Sequence, residues 1–412
     1  MSRIDELIAE HCAEGVEFRP LADITGKSTG IKWACVTDAS FKYIDLSSVD
    51  RVTRRIGDTI SVTAADAPSR ARQIVRTGDV IFATTRPAQM RWAVIPSEYD
   101  GQIASTGYCV MRPNNDVILT NFLAHILGAG TFSRYVESNQ VEGNYPSIPD
   151  SRVREFRVPV PPLEVQREIV RILDTFSKME AELEAELEAR KQQYEHYQYQ
   201  VFNDLRSSAA RLVPLSEIGR WYGGGTPSKS ESRYWSNGTI PWISPKDMGS
   251  PTVTQTEDYI TNEAVSQSST KLVPKESIAI VVRSSILEHT LPIAFVPIES
   301  SLNQDMKAVI PTEGISARYV FHAMRASRND ILRRVKRTGG SVASLDSKKL
   351  WKFEIPVPNI EEQKRVNEFF DRFDTLTSDL SAGLPAELVA RRQQYEYYRD
   401  KLLTFRELEP TS

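Results

Sequence analysis

The chain is short of the residues that build disulfide frameworks, metal centres and hydrolytic sites. Its three cysteines, Cys12, Cys35 and Cys109, are odd in number, scattered and without metal-type spacing, which argues against a stapled secreted fold and points to a reducing cytoplasm. The five histidines (His11, His125, His196, His289, His322) stand singly, so no His-Glu-x-x-His helix can be assembled. There is no nucleophile elbow and no nuclease-like acidic cluster. A self-contained base methyltransferase needs a Gly-rich cofactor loop after a strand and an Asn/Asp-Pro-Pro-aromatic run. Neither is present, and Gly143-Asn144-Tyr145-Pro146-Ser147 is a superficial echo only. No apolar run approaches the ~18–20 residues of a membrane span, and Met1-Ser2-Arg3-Ile4-Asp5 does not read as a secretory signal. The chain reads as non-catalytic.

What is there is a repeat. Val158-Pro159-Val160-Pro161 leads through Glu164 and Gln166 into a long helical pattern carrying Ala189-Arg190-Lys191-Gln192-Gln193-Tyr194-Glu195. Ile355-Pro356-Val357-Pro358 leads through Glu361 and Gln363 to Ala390-Arg391-Arg392-Gln393-Gln394-Tyr395-Glu396. Residues 147–167 align with 344–364 at an offset of 197 with 7 of 21 identical, and 189–197 align with 390–398 at an offset of 201 with 7 of 9 identical. A period of roughly 200 residues makes this 412-residue chain two copies of one unit.

Apolar residues recur at threes and fours through Ile169, Leu173, Phe176, Met179, Leu183, Leu187, Tyr194, Tyr197, Val201 and Leu205. The second copy has Val366, Phe370, Phe373, Leu376, Leu380, Leu388, Tyr395, Tyr398, Leu402 and Phe405. That is a narrow seam suited to pairing two long helices as an antiparallel coiled coil. Continuous helix from Leu163 to Leu205 would run about 64 Å at roughly 1.5 Å per residue, the length of a spacer. The copies differ at Gly383-Leu384-Pro385, where Pro385 predicts one helix ending near Ser381 and another beginning with Pro385 in its first turn. The tandem Ala181-Glu182-Leu183-Glu184-Ala185-Glu186-Leu187-Glu188 has the form of a four-residue stutter, matching the step in offset from 197 to 201.

Between the helices lie mixed α/β segments. Each opens alike (Pro20-Leu21-Ala22-Asp23-Ile24 and Pro214-Leu215-Ser216-Glu217-Ile218), and the first is preceded by a short helix over residues 2–12 closed by Gly15. Strands are expected at 79–86 and 277–283, helices at 121–135 and 317–335, then loops at Glu142-Gly143-Asn144 and Thr338-Gly339-Gly340-Ser341. The net charge of −3 hides an uneven distribution: residues 206–354 carry 20 basic against 14 acidic side chains, whereas 158–205 carry 5 against 10. A phosphate-binding face is therefore expected on the globular segments. The strand ends present Thr84, Thr85, Arg86 and Arg91 in the first segment and Arg283, Ser284 and Ser285 in the second, with Arg86 and Arg283 read as equivalent. The loop Tyr222-Gly223-Gly224-Gly225-Thr226-Pro227-Ser228-Lys229 lacks the Gly-Lys-Ser/Thr ending of a nucleotide loop. It reads either as a flexible surface loop or as one that touches DNA backbone through Gly225, Thr226, Ser228 and Lys229, with Lys246 as a further phosphate contact.

This arrangement resembles the specificity subunit of type I restriction–modification systems. The resemblance is carried by the twin Pro-Val-Pro…Glu…Gln and Arg-(Lys/Arg)-Gln-Gln-Tyr-Glu segments, by Gly224-Gly225-Thr226-Pro227-Ser228 and by Gly238-Thr239-Ile240-Pro241-Trp242-Ile243-Ser244-Pro245-Lys246-Asp247-Met248. Residues 31–38 echo the last of these faintly. The resemblance implies an α+β fold of two target-recognition domains alternating with two long paired helices: 1–157, then spacer 158–207, then 208–354, then spacer 355–412. It implies a cytoplasmic, non-membrane protein that reads double-stranded DNA as two half-sites. The helices would dock two methyltransferase (modification) subunits through Arg190, Lys191, Gln192, Tyr194, Arg391, Arg392, Gln393 and Tyr395, and a restriction/translocase subunit would join. S-adenosylmethionine, ATP and Mg would sit on those partners, with no cofactor or metal on this chain. The recognition part of a single-chain restriction–methylation enzyme, or a coiled-coil scaffold with no DNA role, are the competing readings.

Overall fold

A computed structural model of the chain describes residues 3–208, 210–337, 342–378 and 383–409. The chain forms two compact units, residues 1–181 with 390–412, and residues 182–389. The division falls within the helical repeats. Each unit therefore holds the first part of one helix copy and the last part of the other, cutting across the segments marked off in the sequence.

The two units share one topology, except that the third sheet of the first carries an extra edge strand, Thr29–Gly30. A two-stranded antiparallel ribbon pairs Glu17–Pro20 with Arg157–Val160 in the first unit and Arg211–Pro214 with Glu354–Val357 in the second. Each ribbon has only two strands, so its prolines can sit at an edge without breaking a central ladder. A four-stranded antiparallel sheet follows. Its order is Thr25–Gly26, Tyr108–Pro113, Val80–Ala83, Trp92–Val94 in one unit, and Gly219–Gly223, Met306–Pro311, Ser277–Val281, Ile293–Val296 in the other. Val80–Ala83 and Ser277–Val281 are buried along their whole length, as the apolar runs Val80–Ala83 and Ile278–Val281 require. The remaining sheet contains the parallel pair Phe41–Ile44 with Ile103–Ser105, matched by Ile240–Ile243 with Ser300–Leu302. Phe41–Ile44 is thus the counterpart of Ile240–Ile243. The echo at residues 31–38 does not mark it: Trp33–Cys35 there is a short 3-10 turn.

The expected helix over 121–135 is two helices, Thr120–Gly128 and Gly130–Asn139, because Ala129 between two glycines adopts an extended backbone. Likewise 317–335 divides into Ala317–Ala326 and Arg328–Val335 at Ser327. The loop 338–341, Leu380 and Ser381 lie outside the described residues. The first long helix runs unbroken from Leu163 to Ser207, whereas the second copy forms Ile360–Ser378 and Gly383–Leu402, with Pro385 in the first turn of the latter.

The beginning of each long helix is core. Val165, Ile169 and Leu173 are fully buried in the first unit and Phe370 in the second. The repeated glutamine is structural. Gln166 is buried; its Oε1 accepts from the Leu119 N–H at 2.9 Å while Nε2 donates to the Val117 and Pro161 carbonyls at 2.8 Å each. Gln363 repeats this, accepting from the Ser316 N–H at 2.8 Å and donating to Gly314 and Pro358 carbonyls at 3.3 and 2.9 Å. One amide satisfies three buried backbone groups that a loop arriving at a helix would otherwise strand.

The distal part of each helix copy closes the unit that holds it. In the first unit Phe176 stacks on Tyr398 at 5.5 Å, and Glu180 pairs with Arg392 at 2.6 Å, so residue numbers fall on one strand of the pair as they rise on the other: the pairing is antiparallel. There the His125 ring, from helix Thr120–Gly128, meets Asp174 Oδ1 through Nε2 and the Tyr395 hydroxyl through Nδ1, both at 2.9 Å. In the second unit His322 Nε2 meets Asp371 Oδ1 at 3.0 Å, and Tyr194 packs edge-on against Phe370 at 5.6 Å. The Tyr194 hydroxyl accepts from Gln198 at 2.8 Å and from Arg325 at 3.3 Å. Residues 406–408 also pair with Val16, the Val16 N–H donating to the Arg406 carbonyl at 2.9 Å. Gly15, at φ +112°, permits that approach.

Replacing Gln166 with Leu keeps the side-chain volume but strands up to three backbone groups. About 3 kcal/mol of stability is expected to be lost, read as a lowered unfolding midpoint; an unchanged midpoint would show that the amide is not needed.

Candidate nucleic-acid interface

Both units end their central strand at the same corner. Thr85 bridges to Ser147 in the first and Arg283 to Ser344 in the second. Arg86 N–H donates to the Pro146 carbonyl at 2.7 Å, as Ser284 N–H does to Ala343 at 3.0 Å. Arg86 is therefore the counterpart of Ser284, and Thr85 of Arg283. The expectation that the two arginines are equivalent is wrong by one residue, because the offset inside the globules is 198 where Val80–Ala83 and Ser277–Val281 pair with their neighbours.

The corners differ chemically. Thr84 is buried and its hydroxyl donates to the Gly107 carbonyl at 3.0 Å. Thr85 is half-buried and Arg86 exposed. Arg91 is half-buried, donating to the Leu46 and Val49 carbonyls at 2.5 and 3.0 Å, so it braces a neighbouring loop. Arg283 is exposed, with Nε held by Asp305 at 2.6 Å, beside half-buried Ser284 and exposed Ser285. Ser284 caps the short helix that follows.

The glycine loop is fixed by packing. A Cβ on Gly224 would lie 1.7 Å from the Asn303 carbonyl oxygen, and one on Gly225 2.8 Å from the Ser269 backbone. Gly225 is also tied by its N–H to Leu302 at 2.8 Å and by its carbonyl to Trp242 Nε1 at 3.1 Å. These glycines serve close backbone approach, so the reading of a flexible loop does not hold for Gly224 and Gly225. Thr226 bonds Gln304. Ser228 and Lys229 beyond it are exposed. Lys246 is exposed but sits between Glu257 at 2.7 Å and Asp258 at 3.0 Å, which raise its pKa by hydrogen bonding. It lies on the turn Pro245–Asp247, closed by a Ser244–Asp247 capping box; the first unit writes the same box in reverse as Asp45–Ser48.

A basic surface was not singled out from the sequence, although the charge excess of residues 206–354 signalled it. Exposed Arg333, Arg334, Arg337, Lys348, Lys349 and Lys352 lie on and around helices Arg328–Val335 and Ser347–Trp351, and the Arg337 N–H donates to the Ser344 carbonyl of the corner at 2.8 Å.

Residues 59–190 and 211–390 match the type I restriction modification DNA specificity domain family. The chain is 52% identical over 282 residues to the type I restriction enzyme EcoR124I/EcoR124II specificity subunit of Escherichia coli, a match covering 67% of this chain and 70% of that one. It belongs to the type I restriction–modification specificity subunits. Two solved structures share its fold. One, described under complex assembly and conformational transition of the type I R-M system, gives a TM-score of 0.67 at 22% identity over 94% of this chain and 97% of that one. The other is the S subunit from M. genitalium, with a TM-score of 0.51 at 13% identity over 94% and 96%.

A specificity subunit recognises DNA and is the non-catalytic member of its system. Of the repeated helix motif, the specificity subunit buries Tyr194 and half-buries Tyr395, as above. Arg190 pairs with Glu186 at 2.8 Å, Gln192 bonds Glu188 at 3.2 Å, and Arg391 bonds Gln394 at 3.1 Å. Lys191, Gln192 and Gln393 are exposed. His322, Asp371 and Asp374 lie close enough to hold a cation. Arg318 already donates to Asp371 and Arg325 to Asp374, so these carboxylates are neutralised by guanidinium groups. No helix of the described residues is long and apolar enough to cross a membrane.

Burial pushes the His322 pKa down, against the pull of Asp371 and Asp374. Its folded pKa lies below its unfolded one, so the unfolded chain binds the proton more tightly and stability falls as pH drops through about 6.5. The melting temperature of the wild type is expected to fall between about pH 7 and pH 5.5, and that of His322→Gln to stay flatter. Identical profiles would exclude a neutral His322.

Proposed function

We propose that each unit reads one half of a split, asymmetric site in double-stranded DNA, while the helices set the spacing and dock two modification (methyltransferase) subunits. The observation that carries this is the shared frame with different corners: the same two-stranded ribbon, the same four-stranded sheet and the matching bridges to Ser147 and Ser344 present Thr85-Arg86 in one unit and Arg283-Ser284 in the other. One scaffold with two sets of side chains suits two different half-sites. The DNA contacts proposed are Thr85, Arg86, Ser228, Lys229, Arg283, Ser284 and Ser285, with the basic surface around Arg333 and Lys348 taking phosphates. Thr84, Arg91, Gly225, Thr226 and Lys246 belong to the same proposed DNA face, each also bonded within its own unit. The exposed faces of Arg190, Lys191, Gln192, Arg391, Arg392 and Gln393 are the proposed docking surfaces, with Tyr194 and Tyr395 anchoring them from within. S-adenosylmethionine, ATP and Mg would be carried by the modification subunits and by a restriction/translocase subunit that joins them, in the cytoplasm.

Residues 181–188 are helical throughout within Leu163–Ser207. Deleting residues 185–188 removes one tetrad, about 6 Å at roughly 1.5 Å per residue. At about 3.4 Å per base pair the unspecified gap should shrink by about one to two base pairs with both half-sites intact. Mapping methylated adenines in strains with the wild-type gene, the deletion or neither decides this. An active deletion with an unchanged gap shows that the helices are not the ruler, and altered half-sites show that the units do not read independently.

A further inference from the structure

Tyr145 of the first unit is 71% exposed on the loop 142–146, and no part of the core requires it there. It is nonetheless held. The Arg86 guanidinium lies over its ring at 5.3 Å. Arg86 N–H bonds the Pro146 carbonyl at 2.7 Å, and Thr85 and Val141 both bridge to Ser147, so ring and guanidinium stand on one tethered corner. Arg86 itself adopts φ +50° and ψ +54°, a left-handed conformation strained for any residue with a Cβ. Glycine or asparagine would be the ordinary choice, and strain of this kind gathers at functional sites.

The second unit shows what the frame needs and what it does not. The backbone bonds that match Arg86 to Ser284 also match Tyr145 to Val342 and Gly107 to Asp305. Where the second unit has the Asp305 carboxylate, which holds Arg283, the first has glycine, and Arg86 forms no ion pair among the described residues. Neither Arg86 nor Tyr145 is therefore a requirement of the fold. Arg86 keeps a planar fork of donors available, and the ring beneath restrains its plane. Such a fork matches the paired N7 and O6 acceptors of guanine in the major groove.

We propose that Arg86 and Tyr145 form one reading element of the first unit, Arg86 donating to a guanine in the first half-site and Tyr145 positioning its guanidinium. This rests on the reading that the unit contacts double-stranded DNA. Once the site is mapped, the full chain assembled with its modification subunit is titrated with duplexes carrying single-base changes through the first half. Arg86→Gly removes the side chain and relieves the left-handed strain, so it folds. It should lose about 10–100-fold of discrimination at one guanine position, as the loss of one bidentate pair implies, with the second half-site unaffected. Tyr145→Ala should lose part of the discrimination at that same position, whereas Tyr145→Phe, which keeps the ring face, should retain it. Equal weakening on every duplex would make Arg86 a phosphate contact and overturn the proposal. Unchanged discrimination, or Tyr145→Phe behaving as Tyr145→Ala, would overturn it too. A wild-type complex with no preference for the mapped site over random duplex would instead remove the DNA reading on which it stands.

Discussion

In the first unit a tyrosine hydroxyl from the second helix copy reaches a buried imidazole that an aspartate of the first copy holds from its other side. Three elements meet at His125: a helix of the globule, the first part of one repeat and the last part of the other. An apolar seam with residues at threes and fours tolerates sliding, because a shift by a turn or a heptad brings like against like. A polar triad does not, since any slip leaves the buried imidazole without its carboxylate and hydroxyl partners. The second unit meets the same constraint with different chemistry. His322 and Asp371 remain, while Tyr194 is joined by Arg318, Arg325 and Asp374 where the first unit has Asn121, Gly128 and Ser177. Burial opposes ionisation of both Asp174 and Asp371. Hydrogen bonds from their histidines, helped by Asn121 in one and Arg318 in the other, outweigh it and hold both carboxyls below the usual range. The charge that completes each contact is therefore present at neutral pH.

Two buried glutamines and two histidine–aspartate pairs hold a common frame, and the frame leaves its corners free to differ. That separation lets one fold carry two specificities. The residues that repeat between the units bond inward, the glutamines to backbone and the histidines to aspartates; the residues that differ, Thr85-Arg86 against Arg283-Ser284 and Tyr145 against Val342, stand where the frame meets solvent.

The repeat, the helices, the Pro-Val-Pro strands and the basic second globule were legible because each is a local pattern. Gln166 and Gln363 were visible as a signature, but their purpose was not, since the loop N–H groups and carbonyls they satisfy lie 47 and 49 residues away. His125 and His322 stand singly in the sequence, yet the offset of 197 superposes them and superposes Asp174 on Asp371 as well, so both pairs are legible in the repeat. The pairing of Arg86 with Arg283 failed because the offset steps to 198 within the globules, a one-residue change that only strand register reveals. A basic residue on a loop carries no sign in sequence of the partner it will meet: Arg91 meets the Leu46 and Val49 carbonyls and Lys246 the Glu257 and Asp258 carboxylates. The first globule's counterpart of Ile240–Ile243 was misplaced because Phe41–Ile44 keeps the strand and its capped turn but almost none of the residues.

Hydrogen exchange on the full chain carrying Tyr395→Ala tests most directly whether the triad governs each unit. Protection should fall in helix Thr120–Gly128 and in residues 163–181 and 390–402, all in the first unit, while Ala317–Ala326 and Ile360–Ser378 in the second exchange as in the wild type. Unchanged protection around His125, or an equal loss in both units, would contradict the view that each unit is closed by its own tyrosine from the opposite repeat.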